Sequence, residues 1–220
     1  MNKKNIIYWN NYYDFKENNN KPSNFAKFIK KNYIKKNTTL LDVGAGDGRD
    51  SFYFQKQAKY IFAIDQSDVV INKNKLKVKR LNLKNILFKR LPSNKLKTLY
   101  KKGIDIIYAR FFLHAINEVN ENKFLSIIKK DFKGSIIIAL EFRTTKDVLR
   151  KKGKKISINE RLTDHYRRFI DINNFKKKLE KMKFKFFIPN RASTCQRAQM
   201  ITRTYVELFL VAVLNNNTTT

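Results

Sequence analysis

The stretch Leu40-Leu41-Asp42-Val43-Gly44-Ala45-Gly46-Asp47-Gly48-Arg49-Asp50 constrains this chain more than any other. An apolar run enters a turn with glycine at alternate positions, and a polar helix start follows. Glycine takes positive φ without steric penalty and lets a ligand approach the backbone closely. A strand-to-helix turn is expected to display backbone N–H groups beside the positive end of a helix dipole. The pattern predicts a strand over 40–43, a helix from Arg49, and a nucleotide-like ligand between them.

The glycine spacing narrows the ligand. A dinucleotide fingerprint reads G-x-G-x-x-G with an acid about twenty residues later. Here the spacing is G-x-G-x-G. The acid is nevertheless present: Tyr60-Ile61-Phe62-Ala63-Ile64-Asp65 reads as a second strand ending in a carboxylate, which suits a ribose diol. Asp42 and Asp47 add negative charge beside the turn, disfavouring a pyrophosphate and favouring a cation. A ribose joined to a sulfonium and an ammonium, as in S-adenosylmethionine, fits better than NAD.

On these residues the chain resembles the class I methyltransferases. The resemblance implies an α/β, Rossmann-like fold: a mostly parallel seven-stranded sheet with helices on both faces and an antiparallel last strand. It implies S-adenosylmethionine as cofactor, held by Asp42, Gly44, Ala45, Gly46, Asp47, Asp65 and Gln66, with Arg110 beside them. Trp9 and Tyr13 of the first helix have two readings. They pack on the sheet, or they close over the sulfonium, since aromatic faces attract cations.

The rest of the chain alternates helix-sized and strand-sized segments. Helices are expected over 3–15, 24–32, 68–76, 118–131 and 171–182, with Ser23 and Ser67 as N-caps. Strands are expected over 86–88, 104–108, 135–141, 183–188 and 203–213. Apolar strands separated by helical spacers argue for a parallel sheet covered on both faces. One domain over 1–214 is expected, with an N-terminal helical segment 1–36 and a disordered tail 215–220.

Ligands of such sheets sit beyond the carboxyl ends of the strands. Two further strand ends are chemically loaded. Arg110 and His114 follow the fourth strand, and Glu141 and Arg143 the fifth. A histidine there suits a general base for a hydroxyl, so His114 is the catalytic candidate, with packing as the alternative. Arginine forks bind carboxylate or phosphate bidentately. Arg110 and Arg143 are expected to orient such an anion, with structural ion pairing to Glu141 or an Asp as the alternative; Tyr166, Arg167 and Arg168 of the segment Thr163–Ile170 are expected to bind substrate as a lid or anion clamp, with a basic surface turn as the alternative. Base methylation of DNA is disfavoured. No Asn/Asp-Pro-Pro-aromatic segment follows the fourth strand, and no Pro-Cys pair is present. The third strand ends in Lys89-Arg90-Leu91, where related enzymes place an acid for the adenine amine.

Tyr8–Tyr13, Pro22–Ala26, Gly46–Ser51, Arg110–Ile116 and Asp164–Ile170 together are similar to bacterial small-molecule methyltransferases of the surface-polysaccharide and tellurite-resistance type, over residues 6–190. The stretch Asn190–Met200 departs from that pattern. The resemblance implies methyl transfer to a small anionic or sugar-like acceptor, at a hydroxyl. An RNA- or polyanion-directed methyltransferase is one rival reading, and a non-catalytic methyltransferase-like binding module is another.

The formal charge is +30. Lysine is spread along the chain together with Asn, Ile, Phe and Tyr, all A/T-rich in their codons, which reads as coding bias and a generally basic surface. A polyanionic partner such as RNA, DNA or an acidic membrane is the alternative. One cysteine and two histidines argue against a disulfide framework and a metal site. Neither a signal peptide nor an apolar run of membrane-spanning length is present, so a cytoplasmic protein is expected.

Overall fold

A computed structural model describes residues 3–15, 21–132, 134–187 and 207–216 of the chain. Helix α1 (Lys3–Phe15) and helix α2 (Asn24–Tyr33) lead into strand β1 (Thr39–Val43). Then come α3 (Arg49–Phe54), β2 (Tyr60–Asp65), α4 (Asp68–Arg80), β3 (Ile86–Arg90), β4 (Ile106–Arg110), α5 (Glu118–Asp131) and β5 (Gly134–Arg143). A small antiparallel sheet follows, made of β6 (Lys154–Lys155), β7 (Glu160–Leu162) and β8 (Tyr166–Arg168). Helix α6 (Ile172–Lys181), β9 (Lys185–Phe187) and β10 (Glu207–Asn216) complete the described elements.

The main sheet has seven strands in the order β3-β2-β1-β4-β5-β10-β9. Strands β1 to β5 are parallel to one another, and β10 runs antiparallel to both β5 and β9. Strand order reverses between β1 and β4, which opens the ligand crevice of a doubly wound sheet above their carboxyl ends. Successive strand side chains point to opposite faces, so the apolar strands feed two cores. Leu41, Val43, Ile107, Ala109, Ile138 and Leu140 face α5 and α6. Leu40, Ile61, Ala63, Ile106, Tyr108 and Ala139 face α2 and α3.

The expected caps form: the Ser23 hydroxyl accepts from the Ala26 N–H at 2.9 Å, and that of Ser67 from the Val70 N–H at 3.3 Å. Two sequence expectations need correction. Strand β4 lies two residues later than 104–108: its pairing with β1 and β5 starts at Ile106, and Asp105 holds the strand entrance by accepting from the Thr39 N–H at 2.8 Å. This makes Arg110 the last strand residue. Asn215 and Asn216, expected in a disordered tail, pair with Ser135 and Gly134 at the end of β10. The segment between β5 and α6, to which the sequence reading assigned no secondary structure, holds the three-stranded sheet. The stretch Asn190–Met200, which departs from the family pattern, and the expected strand residues 203–206 lie outside the described residues.

Candidate active site

A cavity of about 630 Å³ opens over the carboxyl ends of β1, β2 and β4, where the strand order reverses. The turn after β1 forms its floor. Gly44, Gly46 and Gly48 have φ of +74°, +53° and +71°, the left-handed region that glycine occupies at no cost. The turn folds onto β2: the N–H groups of Gly44 and Ala45 donate to the Ile64 carbonyl at 2.9 and 3.0 Å, and that of Gly46 to Asp65 Oδ2 at 3.0 Å. These donors are therefore engaged within the protein instead of being displayed to an anion, contrary to the sequence expectation. What the turn offers a ligand is close approach to glycine backbone beside carboxylates.

Asp65 sits at the tip of β2 and is 9% exposed. Its Oδ1 accepts from the Ser67 N–H at 2.9 Å. Burial raises its pKa, while the N–H donors of Ser67, Gly46 and Gln66 oppose the shift. Asp42 is buried behind the turn and accepts from the Ser51 hydroxyl at 2.5 Å. Burial pushes its carboxyl up to about 8, against the Ser51 hydrogen bond, and the charges of Asp50 and Asp65 add to the rise. A raised folded-state pKa means that the native state holds a proton the unfolded chain has released. The associated stability is therefore complete at acid pH and is lost as pH rises from about 4 towards 8. Asp42→Asn is expected to flatten the fall in melting temperature over that range. An unchanged pH profile of thermal unfolding would show that Asp42 does not hold the proton.

Helix α1 covers the turn. Tyr13 lies over Gly46, so close that a side-chain carbon there would collide with its hydroxyl. Burial raises the Tyr13 pKa well above the phenol value, with Asp65 and Asp47 adding to it. Trp9, one helical turn earlier, stacks on Tyr13 with ring centroids 6.0 Å apart. The helix is pinned to α4 by Lys73, which donates to the carbonyls of Tyr13 and Asp14 at 2.6 and 2.9 Å, and by its own Asn10, which donates to Asp68 at 2.9 Å.

Cationic side chains line the other half of the cavity. Arg110 pairs with Glu141 at 2.5 Å, and Arg143 with Asp147 at 2.6 Å. Phe111 has a φ of +53°, a left-handed conformation rare for a bulky residue. Both guanidinium groups approach its ring, Arg110 at 4.3 Å and Arg143 at 5.4 Å. His114 lies edge-on to the same ring at 5.3 Å, and its buried Nδ1 has no hydrogen-bond partner among the described residues. Burial lowers its pKa well below the ordinary imidazole value, and Arg143, His165, Arg167 and Arg110 push in the same direction. The ring is thus neutral at physiological pH. Arg167 reaches the cavity from β8, ion-paired with Asp164 at 2.8 Å. His165 is held beside it, lowered to about 4 by burial and by Arg167, against the opposing pull of Asp164. Tyr8 of α1 donates to Asp164 at 2.7 Å, which joins the two covers of the cavity.

A profile of the methyltransferase domain family matches residues 34–198. The chain belongs to this family. Solved structures with the same fold include an S-adenosylmethionine-dependent methyltransferase from Aquifex aeolicus, 22% identical, with a TM-score of 0.61 over 86% of this chain and 88% of that one. Another comes from Clostridium acetobutylicum, 12% identical, with a TM-score of 0.68 over 97% and 98%. A third is phosphoethanolamine N-methyltransferase 1 of Haemonchus contortus, solved with phosphoethanolamine and S-adenosylhomocysteine. It is 14% identical, with a TM-score of 0.72 over 96% of this chain and 48% of that one. A comparison with curated protein sequences finds no match.

The methyltransferase's cavity brings together Trp9, Tyr13, Asp42, Gly44, Ala45, Gly46, Asp47, Asp65, Gln66, Arg110, His114, Arg143 and Arg167, the residues expected at the site from sequence. It does not bring Tyr166 and Arg168. Alternation along β8 turns these two away from Arg167: Tyr166 donates to Glu160, and Arg168 is buried against Glu121 and the Ile116 carbonyl. His165 and Asp164, part of the expected lid segment Thr163–Ile170 but not singled out as site residues, also line the cavity, as do Tyr8 and Phe111, which the sequence reading did not assign to the site. Period-two reading of 163–168 would have found His165 with Arg167. Asp50 was also missed; it binds Ser23, Tyr108 and, at 4.0 Å, Arg110.

Proposed function

We propose that this methyltransferase moves a methyl group from S-adenosylmethionine to a hydroxyl of a small anionic acceptor. The observation that carries the reading is the convergence of Arg110, Arg143 and Arg167 with the neutral ring of His114 in the cavity that also holds the glycine turn and Asp65. Asp65 and the backbone of Gly44 and Gly46 suit the ribose and its neighbours. Asp47 suits a cationic ligand, and Trp9 and Tyr13 offer aromatic faces to it. The donor supplies an already activated methyl group when bound. The chain's own part is alignment, exclusion of water and removal of the acceptor's proton.

Arg143 and Arg167 would hold a phosphate or carboxylate, and His114 would take the hydroxyl proton. A bound anion offsets the guanidinium charge that depresses His114 and so strengthens the base as the acceptor arrives. The phosphate-bearing acceptor in the Haemonchus contortus enzyme supports an anion of this kind. The likeness to methyltransferases of the surface-polysaccharide and tellurite-resistance type supports a small one. A cytoplasmic location accords with this reading, and no described helix is long and apolar enough to cross a membrane. The +30 charge supports a second reading, an RNA acceptor. Binding that collapses with salt and ignores RNA sequence would mark mere polyelectrolyte attraction.

The donor half is tested by calorimetry with S-adenosylhomocysteine. Asp65→Ala is expected to weaken binding by about 1–3 kcal/mol, the scale of a lost hydrogen bond to a charged group. The acceptor half is tested with labelled donor and matched pairs of small phosphates or carboxylates and their neutral esters. Labelled product is expected from the anions and not from the esters. Equal labelling of both would overturn the assignment of the arginines.

A further inference from the structure

We infer that the accessory sheet of this enzyme is a docking surface for an anionic lipid bilayer. Segment 146–158 contains Lys146, Arg150, Lys151, Lys152, Lys154 and Lys155, and its one acid, Asp147, is buried against Arg143. Among these cations stand aliphatic side chains turned to solvent: Val148 is 62% exposed, Ile156 52% and Ile158 70%. They are not scattered. Arg150 donates to the Ile158 carbonyl at 3.3 and 3.2 Å, tying the turn that carries Val148 to the hairpin tip that carries the isoleucines. Lys154 sits opposite Leu162, itself 46% exposed, so basic and apolar side chains share that strand pair.

Exposed apolar side chains clustered on one element mark an interaction site. The chemistry here selects the partner. Aliphatic side chains rimmed by lysine match an anionic bilayer interface, where hydrocarbon accepts the former and headgroups the latter. Single-stranded nucleic acid would call for aromatic platforms on which bases stack. Segment 146–158 contains no Phe, Tyr or Trp. The surface also continues into the site: the hairpin bearing Leu162 carries Asp164, His165 and Arg167 to the cavity. Docking on this face would hold the cavity close to a membrane. The inference does not depend on the reaction proposed above.

The test is co-sedimentation of the full chain with vesicles of phosphatidylcholine alone, or with one third phosphatidylglycerol, across a salt series. Binding is expected only to the anionic vesicles. Ile156→Ser/Ile158→Ser should weaken it about tenfold, from lost apolar burial, without changing the salt slope. Lys151→Gln/Lys152→Gln/Lys154→Gln/Lys155→Gln should flatten the salt slope. Lys75→Gln/Lys79→Gln, on the exposed face of α4, should leave binding as it was. All substituted side chains are exposed, and thermal melts check that the variants fold. The inference is overturned by no binding, by equal binding to neutral vesicles, or by a serine variant that binds like the parent. It is equally overturned if RNA binds more tightly than the vesicles and the lysine variant alone abolishes that binding.

Discussion

Replacing Glu121 by alanine is expected to destabilise the protein by about 3–5 kcal/mol, the scale for stranding a buried charge. Glu121 lies on α5 and is 1% exposed. Its carboxylate accepts from Arg168 of β8 and, at 2.6 Å, from Lys178 of α6. The three elements converge on this one side chain. Arg168 is 8% exposed and, among the described residues, would keep only the Ile116 carbonyl, at 3.1 Å, while Lys178 would keep Glu118, at 2.8 Å. The melting temperature should fall by roughly 6–20 °C in a chain of this size. Glu121→Leu combined with Arg168→Met should recover most of the loss, because apolar replacement of a whole buried pair is often neutral. Denaturant unfolding decides it. A loss below about 1 kcal/mol, the range of exposed ion pairs, would mean that water reaches Arg168 in the native state.

The same arginine shows where sequence reading stops. The donor half of the site was legible because its determinants are local. The alternating glycines, the apolar strand before them and the acid ending the next strand each fix a backbone position within a few residues. Gly46 and Asp65 then meet at 3.0 Å because β1 and β2 pair in parallel register, Asp42 opposite Ala63 and Val43 opposite Ile64. The acceptor half was legible only as a list of residue types after strands four and five. Whether Arg167 or Arg168 enters the cavity depends on which face of a three-residue strand is buried, and Glu121, which decides it, lies 47 positions away. The shift of β4 is of the same kind, since its start is set by pairing with β1 and β5 from Ile106 onward. The positive φ of Phe111 left no trace in the residue type.

His114→Ala is expected to lower turnover by about 100- to 10,000-fold, the usual contribution of a positioned general base. The affinity for S-adenosylhomocysteine should stay within about twofold, because His114 stands beside Phe111 in the arginine-lined half of the cavity and, among the described residues, no hydrogen bond joins it to the glycine turn. The pH profile discriminates a base from a packing residue. In the free enzyme the imidazole stays unprotonated well below its ordinary value of 6.5, so the acid limb of kcat/KM should fall below that pH. In the complex an anion on Arg143 and Arg167 cancels part of the positive field, so the acid limb of kcat should move to higher pH. Arg143→Gln should raise the free-enzyme limb directly, since Arg143 is the largest charge contribution to the depression. If His114→Ala turns over like the parent, the hydroxyl proton leaves by another route. Should turnover fall while both acid limbs stay fixed between the parent and Arg143→Gln, His114 only shapes the cavity wall.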